Sequence, residues 1–217
     1  MSNPGDTAAA RRPSKGERTR TRILASASAL FSRSGFHAVS LRDIAAHAGL
    51  THAGLLHHFP GKEALLLELL GHRDRVDAAD LFPTALDAGA PEPAPEQWLR
   101  RLLDVVARNS RTPGLVALYA NLSAEAADPD HPAHDYFVRR YRVVREGTAR
   151  ALGALFAAAD PPVEEDPNAV AVQLIALMDG LQTQWLLEPD TVDMPAQLRA
   201  LLRRYGIEPA PETEVSA

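Results

Sequence analysis

The stretch SLRDIAAHAGLTHAGLLHHFPGKEAL, residues 40–65, decides the fold because it sets two short amphipathic segments on either side of a glycine-containing turn. Ser40 caps the first segment, Asp43 occupies the capping-box position, and Gly49 ends the segment. Thr51 caps a second segment that extends to about residue 58. Two short helices joined in this way predict a helix-turn-helix, a motif whose second helix can enter the major groove of DNA.

Outward from this stretch, apolar residues recur at helical spacing in almost every segment, and no segment shows sustained strand alternation. The sequence therefore predicts an all-α fold with about nine helices. We expect these helices over residues 17–34, 40–48, 51–58, 61–80, 96–110, from 113 onward, 133–159, 166–187 and 195–205. A proline-rich loop or linker is expected at 83–95.

Charge is distributed unevenly along the 217 residues. Residues 1–62 hold nine Lys/Arg and three Asp/Glu, a charge of +6, while the remainder holds fourteen and twenty-five, a charge of −11. A basic segment suits a polyanion, because each phosphate it neutralises releases counterions, although an ordinary solvated basic arm would have the same charge. With no cysteine, disulfides and thiolate chemistry are excluded. No apolar run suits a membrane span or a secretory signal, so we expect a cytoplasmic protein without a membrane partner.

The second helix of the motif has an inward and an outward face. Leu55 and Phe59 lie one turn apart and point inward. The positions that can meet DNA are Thr51, His52, Ala53, Gly54, Leu56 and His57. Imidazoles there can donate to phosphates or base edges, and the small residues allow close approach to the groove wall.

Residues 22–69, which include ILASASALFSRSGFHAVSLRDIAAHAGLTHAGLLHHFPGKEALLLEL, resemble the DNA-binding domain of the TetR family of transcriptional regulators. HPAHDYFVRRYRVVRE and LIALMDGLQTQWLLEPD also resemble members common in actinobacteria, with less specific motifs. The resemblance implies a three-helix head, a fourth helix that bridges to an effector-binding body, and a homodimer made by the last two long helices. It further implies a repressor that binds a palindromic operator and is released by a small, mostly apolar organic effector.

The resemblance also assigns residues that contact DNA. It implies Ser40 and Arg42 at the start of the second helix, and Lys62 at the start of the fourth. Leu56 stands where the family often has a phosphate-contacting tyrosine, and His52 where an arginine is frequent. A basic arm could compensate by following the DNA backbone or entering the minor groove; it comprises Arg11, Arg12, Lys15, Arg18 and Arg20. The complete expected interface is Arg18, Ser40, Arg42, Thr51, His52, Ala53, Leu56, His57 and Lys62.

Four regions follow from these features. We expect a disordered basic arm over 1–16, a helix-turn-helix domain over 17–60, a helical effector-binding and dimerisation domain over 61–207, and a flexible tail over 208–217.

The helical body offers two further sets of candidate residues. Residues that are either core or the lining of an effector pocket are Trp98, Leu102, Leu118, Tyr119, Asn121, Leu122, Phe137 and Tyr141. Residues expected at a dimer interface are Val170, Leu174, Leu177, Met178, Leu181, Trp185, Leu198, Leu201 and Leu202. Asp179, within an apolar helix, is expected at the subunit interface, with a pocket-lining or catalytic role as alternatives.

Metal sites and catalysis are the remaining alternatives. His52, His57 and His58 are not expected to bind a metal, because adjacent helical residues diverge by about 100°. DPDHPAHD contains Asp128, Asp130, His131, His134 and Asp135, which favour a capped helix start and leave a divalent-metal site as the alternative. No cofactor is expected. The sequence has no phosphate-binding glycine loop, nucleophile elbow or metalloprotease motif, and we expect no enzyme activity. A helical-bundle enzyme or hydrophobic-ligand carrier remains as the second hypothesis.

Overall fold

The computed structural model describes residues 14–80 and 93–208, and these residues form nine helices and no strand. The helices are α1 Lys15–Ala38, α2 Leu41–His47, α3 His52–Leu56, α4 Lys62–Asp80, α5 Pro95–Asn109, α6 Pro113–Glu125, α7 His134–Ala158, α8 Pro167–Leu187 and α9 Met194–Arg203. The prediction of an all-α fold is confirmed. No helix of the described ranges has the length and apolar character that a bilayer crossing requires.

Helix α1 begins earlier than the sequence pattern suggested and continues beyond its glycine. Ser14 caps it, since the Ser14 side chain accepts the Glu17 N–H and the Glu17 side chain returns to the backbone of Ser14. Gly35 has a φ of 75°, so the helix is kinked there rather than ended. Residues 15 and 16 are therefore helical and not part of a disordered arm. Residues 1–13, with Arg11 and Arg12, lie outside the described residues, as do most of the 83–95 linker and tail residues 209–217.

Helices α2 and α3 form the expected helix-turn-helix. Ser40 and Asp43 make a reciprocal capping box, and Gly49 in the intervening turn has a φ of 65°. The hydroxyl of Thr51 accepts the N–H of Gly54 at 3.0 Å. Helix α3 has only five residues, shorter than the predicted 51–58, because the chain leaves the helix at His57.

The first three helices and α4 share one apolar core, here called the head core. Its fully buried side chains include Ile23, Phe31, Ile44, Leu55, Phe59, Leu65 and Leu66. Arg20 braces this core from outside, because its guanidinium lies 4.3 Å from the centre of the Phe59 ring and its Nη2 lies 3.2 Å from Glu68 Oε2. Arg20 also donates to the carbonyl of His58. Arg20 therefore packs on the head core, and the expectation that it belongs to a DNA-following arm stays a prediction.

The remaining helices enclose a second core, here called the body core. It contains Trp98, Leu102, Leu152, Leu174, Trp185 and Leu198. Helices α7 and α8 pack along each other, and α5 packs against α7 and α9. Helix α6 packs against α1, so that Leu118 and Leu122 join the head core. The head is thus attached to the body mainly through α6.

Trp98 fixes the approach of α5 to α7. Its Nε1 donates to the buried hydroxyl of Thr148 at 3.1 Å. Its indole ring lies against Gly147, at a point where a Cβ atom would overlap the ring. A glycine at this position therefore permits the two helices to come together.

Gly147→Ala is expected to destabilise the protein by about 1–3 kcal/mol, because the methyl group forces Trp98 or α7 to move. Gly153→Ala is the matched control on the same helix, since its Cβ would meet Pro167 at an ordinary 3.5 Å. That control should be neutral or stabilising by up to about 1 kcal/mol, because alanine favours helix over glycine. Urea unfolding measures both. Equal stability of the two variants would contradict the proposed Trp98 contact.

Candidate nucleic-acid interface and internal cavity

The outward face of α3 is exposed as the helical pattern predicted. His52, Ala53 and His57 are all exposed, whereas Leu55 is completely buried beneath them. Leu56 is 40% exposed, a large apolar side chain left facing solvent. The rings of His57 and His58 lie edge to face with centroids 5.5 Å apart. His52, Leu56 and His57 thus form an exposed surface, here called the α3 ridge, which lies above the buried Leu55.

The start of α2 lies beside this ridge in the motif, and its polar groups are partly engaged in capping. The Ser40 hydroxyl donates to Asp43 Oδ2 at 2.6 Å and accepts the Asp43 N–H at 3.2 Å. The Ser40 hydroxyl and the Ser40 N–H, which also donates to Asp43 Oδ2 at 2.9 Å, together hold the pKa of Asp43 below its usual value. Arg42, in the first turn of α2, is exposed, and so is Arg18 near the start of α1. Contacts of these residues with DNA stay predictions.

Lys62 lies at the junction of α1 and α4. Its ammonium donates to the carbonyls of Phe36 at 2.9 Å and Val39 at 3.0 Å, and lies 4.3 Å from the centre of the Phe36 ring. A cation there satisfies carbonyls at the C-terminal end of a helix, which have no partner within the helix. The role of Lys62 in phosphate binding stays a prediction. In the structure its ammonium also stabilises the end of α1 through these hydrogen bonds.

A cavity of about 90 Å³ lies between α5, α6, α7 and α8. Four of the residues expected to line an effector pocket line it: Leu102, Tyr119, Phe137 and Tyr141. Further walls come from Val105, Leu115, Val116, Val144, Ile175 and Met178, and polar side chains come from Asn109, Ser123, Arg140 and Gln182. The walls are mainly apolar and aromatic, as is typical of sites for organic ligands.

The other four expected pocket residues lie elsewhere. Trp98 is bound to Thr148, and Leu118 and Leu122 are buried in the head core. Asn121 is exposed and its side chain donates to the carbonyl of Ser32 in α1 at 3.1 Å. The physical reason is the rotation of α6, which directs Leu118 and Leu122 towards α1 while residues 115, 119 and 123 face the cavity.

Asp179 lines the cavity rather than serving only as a surface residue. Tyr141 donates to its Oδ2 at 2.9 Å. Burial by the surrounding helices raises the pKa of Asp179, and burial together with the nearby carboxylate raises the pKa of Tyr141 to about 12. Asp179 is also exposed on α8, so these contacts support its pocket-lining alternative, while its expected role at a subunit interface stays a prediction. Tyr141 and Asp179 thus form a polar pair in a mostly apolar wall.

The residues expected at a dimer interface are mostly buried within the chain. Six of them are between 0% and 7% exposed: Val170, Leu174, Leu181, Trp185, Leu198 and Leu202. Leu177, Met178 and Leu201 are partly buried, and Met178 lines the cavity. The expectation that the first six form the interface is therefore wrong, because a side chain already covered by its own domain gains almost no burial from a partner. The exposed side of α8 instead carries Ala169, Val172, Ala176, Gly180, Thr183 and Leu187.

The DPDHPAHD segment forms the turn before α7. Asp128 accepts the N–H of Asp130 at 3.0 Å, and a ring nitrogen of His134 lies 2.9 Å from the carbonyl of Ala126. Asp130 and Asp135 are exposed, whereas His131 is buried. Among the described residues, the group with metal-ligand spacing that includes His131 is completed by His37 and Glu125, not by the aspartates. Neither residue was selected from the sequence, because they lie 88 positions apart.

Comparisons with known proteins agree with this geometry. Residues 23–69 match the model of bacterial regulatory proteins of the tetR family, and residues 95–206 match that of the C-terminal region of BetI-type transcriptional repressors. The probable HTH-type transcriptional regulator ArpR of Pseudomonas putida is 28% identical over 184 residues, which cover 82% of this chain and 85% of that protein.

Two solved structures are similar along most of the chain. SCO4454, a TetR-family transcriptional regulator from Streptomyces coelicolor, is 27% identical with a TM-score of 0.66, covering 87% of this chain and 96% of that one. SmeT, the repressor of a multidrug efflux pump of Stenotrophomonas maltophilia, is 21% identical with a TM-score of 0.61, covering 88% and 90%. The likeness to SmeT concerns the fold alone.

Proposed function

The chain belongs to the TetR family of bacterial regulatory proteins, and from this premise we propose that it represses transcription as a homodimer on a palindromic operator, which a small organic effector makes it release. The family is one of helix-turn-helix transcriptional regulators, not of enzymes, and its repressors bind DNA operators and act as dimers. We place this protein in the cytoplasm, where bacterial DNA lies. The observation that carries the proposal is the exposed ridge of α3 above a buried helix-turn-helix core.

The DNA-binding step uses the outward residues of α3. His52 and His57 can donate to phosphates or base edges, and Leu56 can contact a thymine methyl group or a sugar. Ser40 and Arg42 at the start of α2 would hold the neighbouring backbone. In a symmetric dimer the two α3 helices would occupy successive major grooves, about 34–36 Å apart.

The effector step uses the cavity between α5 and α8. Its volume of about 90 Å³ is smaller than the roughly 300–1,000 Å³ that organic ligands occupy, so an effector must separate the walls. To reverse a population from 99:1 to 1:99, a ligand must prefer the expanded form about 10⁴-fold, roughly 5.5 kcal/mol. Aromatic walls and the Tyr141–Asp179 pair favour an aromatic effector with one hydrogen-bond donor.

Helix α6 connects the cavity to the head. Tyr119 and Ser123 on one side line the cavity, while Leu118 on another side belongs to the head core. At its C-terminal end, the carboxylate of Glu125 accepts the N–H of Phe36 in α1 at 3.0 Å. Displacement of α6 by an effector would therefore move α1 and with it the helix-turn-helix. The resemblance implied that the fourth helix connects the effector site to the head. The contacts of α6 support α6 as the more direct connection.

The dimer would use the exposed side of α8. Val172 is 52% exposed and Leu187 is 77% exposed, although both are apolar. Ala176 and Gly180 lie between them, and a Cβ at Gly180 would meet nothing within 4 Å. Small side chains in the middle of this face allow a second α8 to approach closely, and the flanking apolar side chains would then be buried.

His57→Ala is expected to weaken operator binding by about 1 kcal/mol or more, roughly fivefold, because a base-edge or phosphate contact is lost. His72→Ala is the control, an exposed histidine on α4 away from the ridge. Gel shifts with DNA flanking the protein's own gene, at one salt concentration, measure both. Equal affinity of the two variants would remove His57 from the interface.

Met178→Trp is expected to leave operator affinity unchanged but prevent release, because the larger ring fills the cavity. Val143→Trp is the control, since Val143 is 42% exposed on α7. The probes are a panel of aromatic amines and neutral aromatics, screened for release of the operator by the native protein. If Met178→Trp is folded and released at the native concentration of the active compound, the effector binds elsewhere. Leu118→Trp would not serve, because Leu118 lies in the head core.

Val172→Glu is expected to produce monomers, since it places a charge among the apolar side chains of the proposed α8 interface. Val143→Glu changes the same residue type at a similar exposure on α7 and should stay dimeric. Light scattering over a range of protein concentrations distinguishes the two. A fully dimeric Val172→Glu protein would place the interface on another face.

A further inference from the structure

Three side chains with metal-binding atoms meet where the head joins the body. His37 comes from the last turn of α1, Glu125 from the end of α6, and His131 from the turn before α7. One ligand atom from each lies within 4.8 Å of the others. The rings of His37 and His131 stand edge to face, with centroids 5.4 Å apart. The group belongs neither to the α3 ridge nor to the cavity between α5 and α8.

His131 is the most informative member of this group. Its side chain is 0% exposed, and its Nδ1 accepts the N–H of Ala133 at 3.1 Å. Its Nε2 is buried without a hydrogen-bond partner, and the Glu125 carboxylate oxygen lies 3.6 Å away, too far for a good hydrogen bond. A buried polar atom without a partner is costly, so its persistence calls for an explanation. Nε2 points into the space between Glu125 and His37.

The local charges suit a cation. Glu125 accepts the Phe36 N–H with its two oxygens, at 3.0 and 3.2 Å, and a carboxylate has further lone pairs to offer. The negative charges of Glu125 and Asp128 both act on His131. The ammonium of Lys62 is held by the carbonyls of Phe36 and Val39, with the carbonyl of His37 at 3.5 Å.

We propose that His37, Glu125 and His131 bind one divalent transition-metal ion of the zinc class at this junction. Two imidazoles and one carboxylate are ligands that zinc accepts, and a fourth position would remain for water. Ligand atoms around zinc lie about 3–3.5 Å from one another, as bonds of roughly 2 Å require, so the group must contract. His37 is exposed and can supply most of this movement by rotating.

Metal binding changes the proton position on His131. In the unoccupied ring, Nδ1 accepts from Ala133, so the proton of the neutral imidazole is on Nε2. Coordination through Nε2 requires this proton to be on Nδ1, where the ring N–H would face the N–H of Ala133 as a second donor, so the His131 ring must turn away from Ala133 when the metal binds. Because the ligands come from α1, α6 and the turn before α7, the ion would hold the head against the body.

The experiment uses the full chain without a histidine tag, with Co²⁺ as the spectroscopic probe and Zn²⁺ as the competitor. The native protein should bind one Co²⁺ per chain with the visible absorption of a tetrahedral site, and Zn²⁺ should displace it. His37→Ala and Glu125→Gln should each bind at least tenfold more weakly. His72→Ala, which removes an exposed histidine outside the group, should bind like the native protein. Zn²⁺ should raise the melting temperature of the native protein and not that of His37→Ala.

Two results would overturn the proposal. One is the absence of Co²⁺ binding to the native protein at micromolar concentrations. The other is equal affinity of His37→Ala and the native protein, which would assign any binding to surface histidines and leave the group as packing. His37 is exposed, so its replacement should not prevent folding, and circular dichroism checks this directly. The test contains no DNA and no effector, so its outcome is independent of the proposed repressor function.

Discussion

Helix α6 is buried on two sides, and the arrangement of the rest of the molecule depends on this. One side places Leu118 and Leu122 in the head core, and another side forms a wall of the cavity. A close-packed helix cannot move at one surface without disturbing the other. The head and the cavity are therefore mechanically connected through α6. The residues that would meet DNA and those that would meet an effector do not contact each other directly.

The end of α1 shows how the head is held against the body. Gly35 kinks the helix, which aims the N–H of Phe36 at Glu125 of the body and leaves the carbonyls of Phe36 and Val39 to Lys62. A side chain at Gly35 would overlap the Glu125 carboxylate. Backbone groups at helix ends need partners, and here one donor is satisfied from the body and two acceptors from α4. The same few residues thus stabilise the head and fix its orientation.

The cavity and the α8 surface have complementary roles in this arrangement. Helix α8 contributes Ile175, Met178 and Asp179 to the cavity, while Val172 and Leu187 remain on its exposed side. An effector that separates the cavity walls would act on a helix that also carries the proposed dimer surface. Changes in the cavity could then reach the second subunit through α8 as well as the DNA through α6.

The amino-acid sequence by itself determined the helices and the local structure at their ends. Capping at Ser40, Thr51 and Asp166, and the turn at Gly49, depend on residues within a few positions of each other, so they can be recognised without a fold. The outward face of α3 was also predictable. Its apolar residues lie on one side of a short helix within a recognised motif, so only that side can be buried. For the same reason the start of α6 and both ends of α7 and α8 lie within a residue or two of their expected positions.

Which side of each long helix faces which neighbour depends on how the distant helices pack. Leu174 and Leu181 formed an apolar stripe that suits a partner subunit and a protein core equally well, and the packing of α7 against α8 assigned them to the core. A small rotation of α6 likewise separates Leu118 in the head from Tyr119 at the cavity. His131 meets His37 across a separation of 94 residues. Such contacts depend on how distant helices pack, and hydrophobic periodicity specifies a buried side without specifying what covers it.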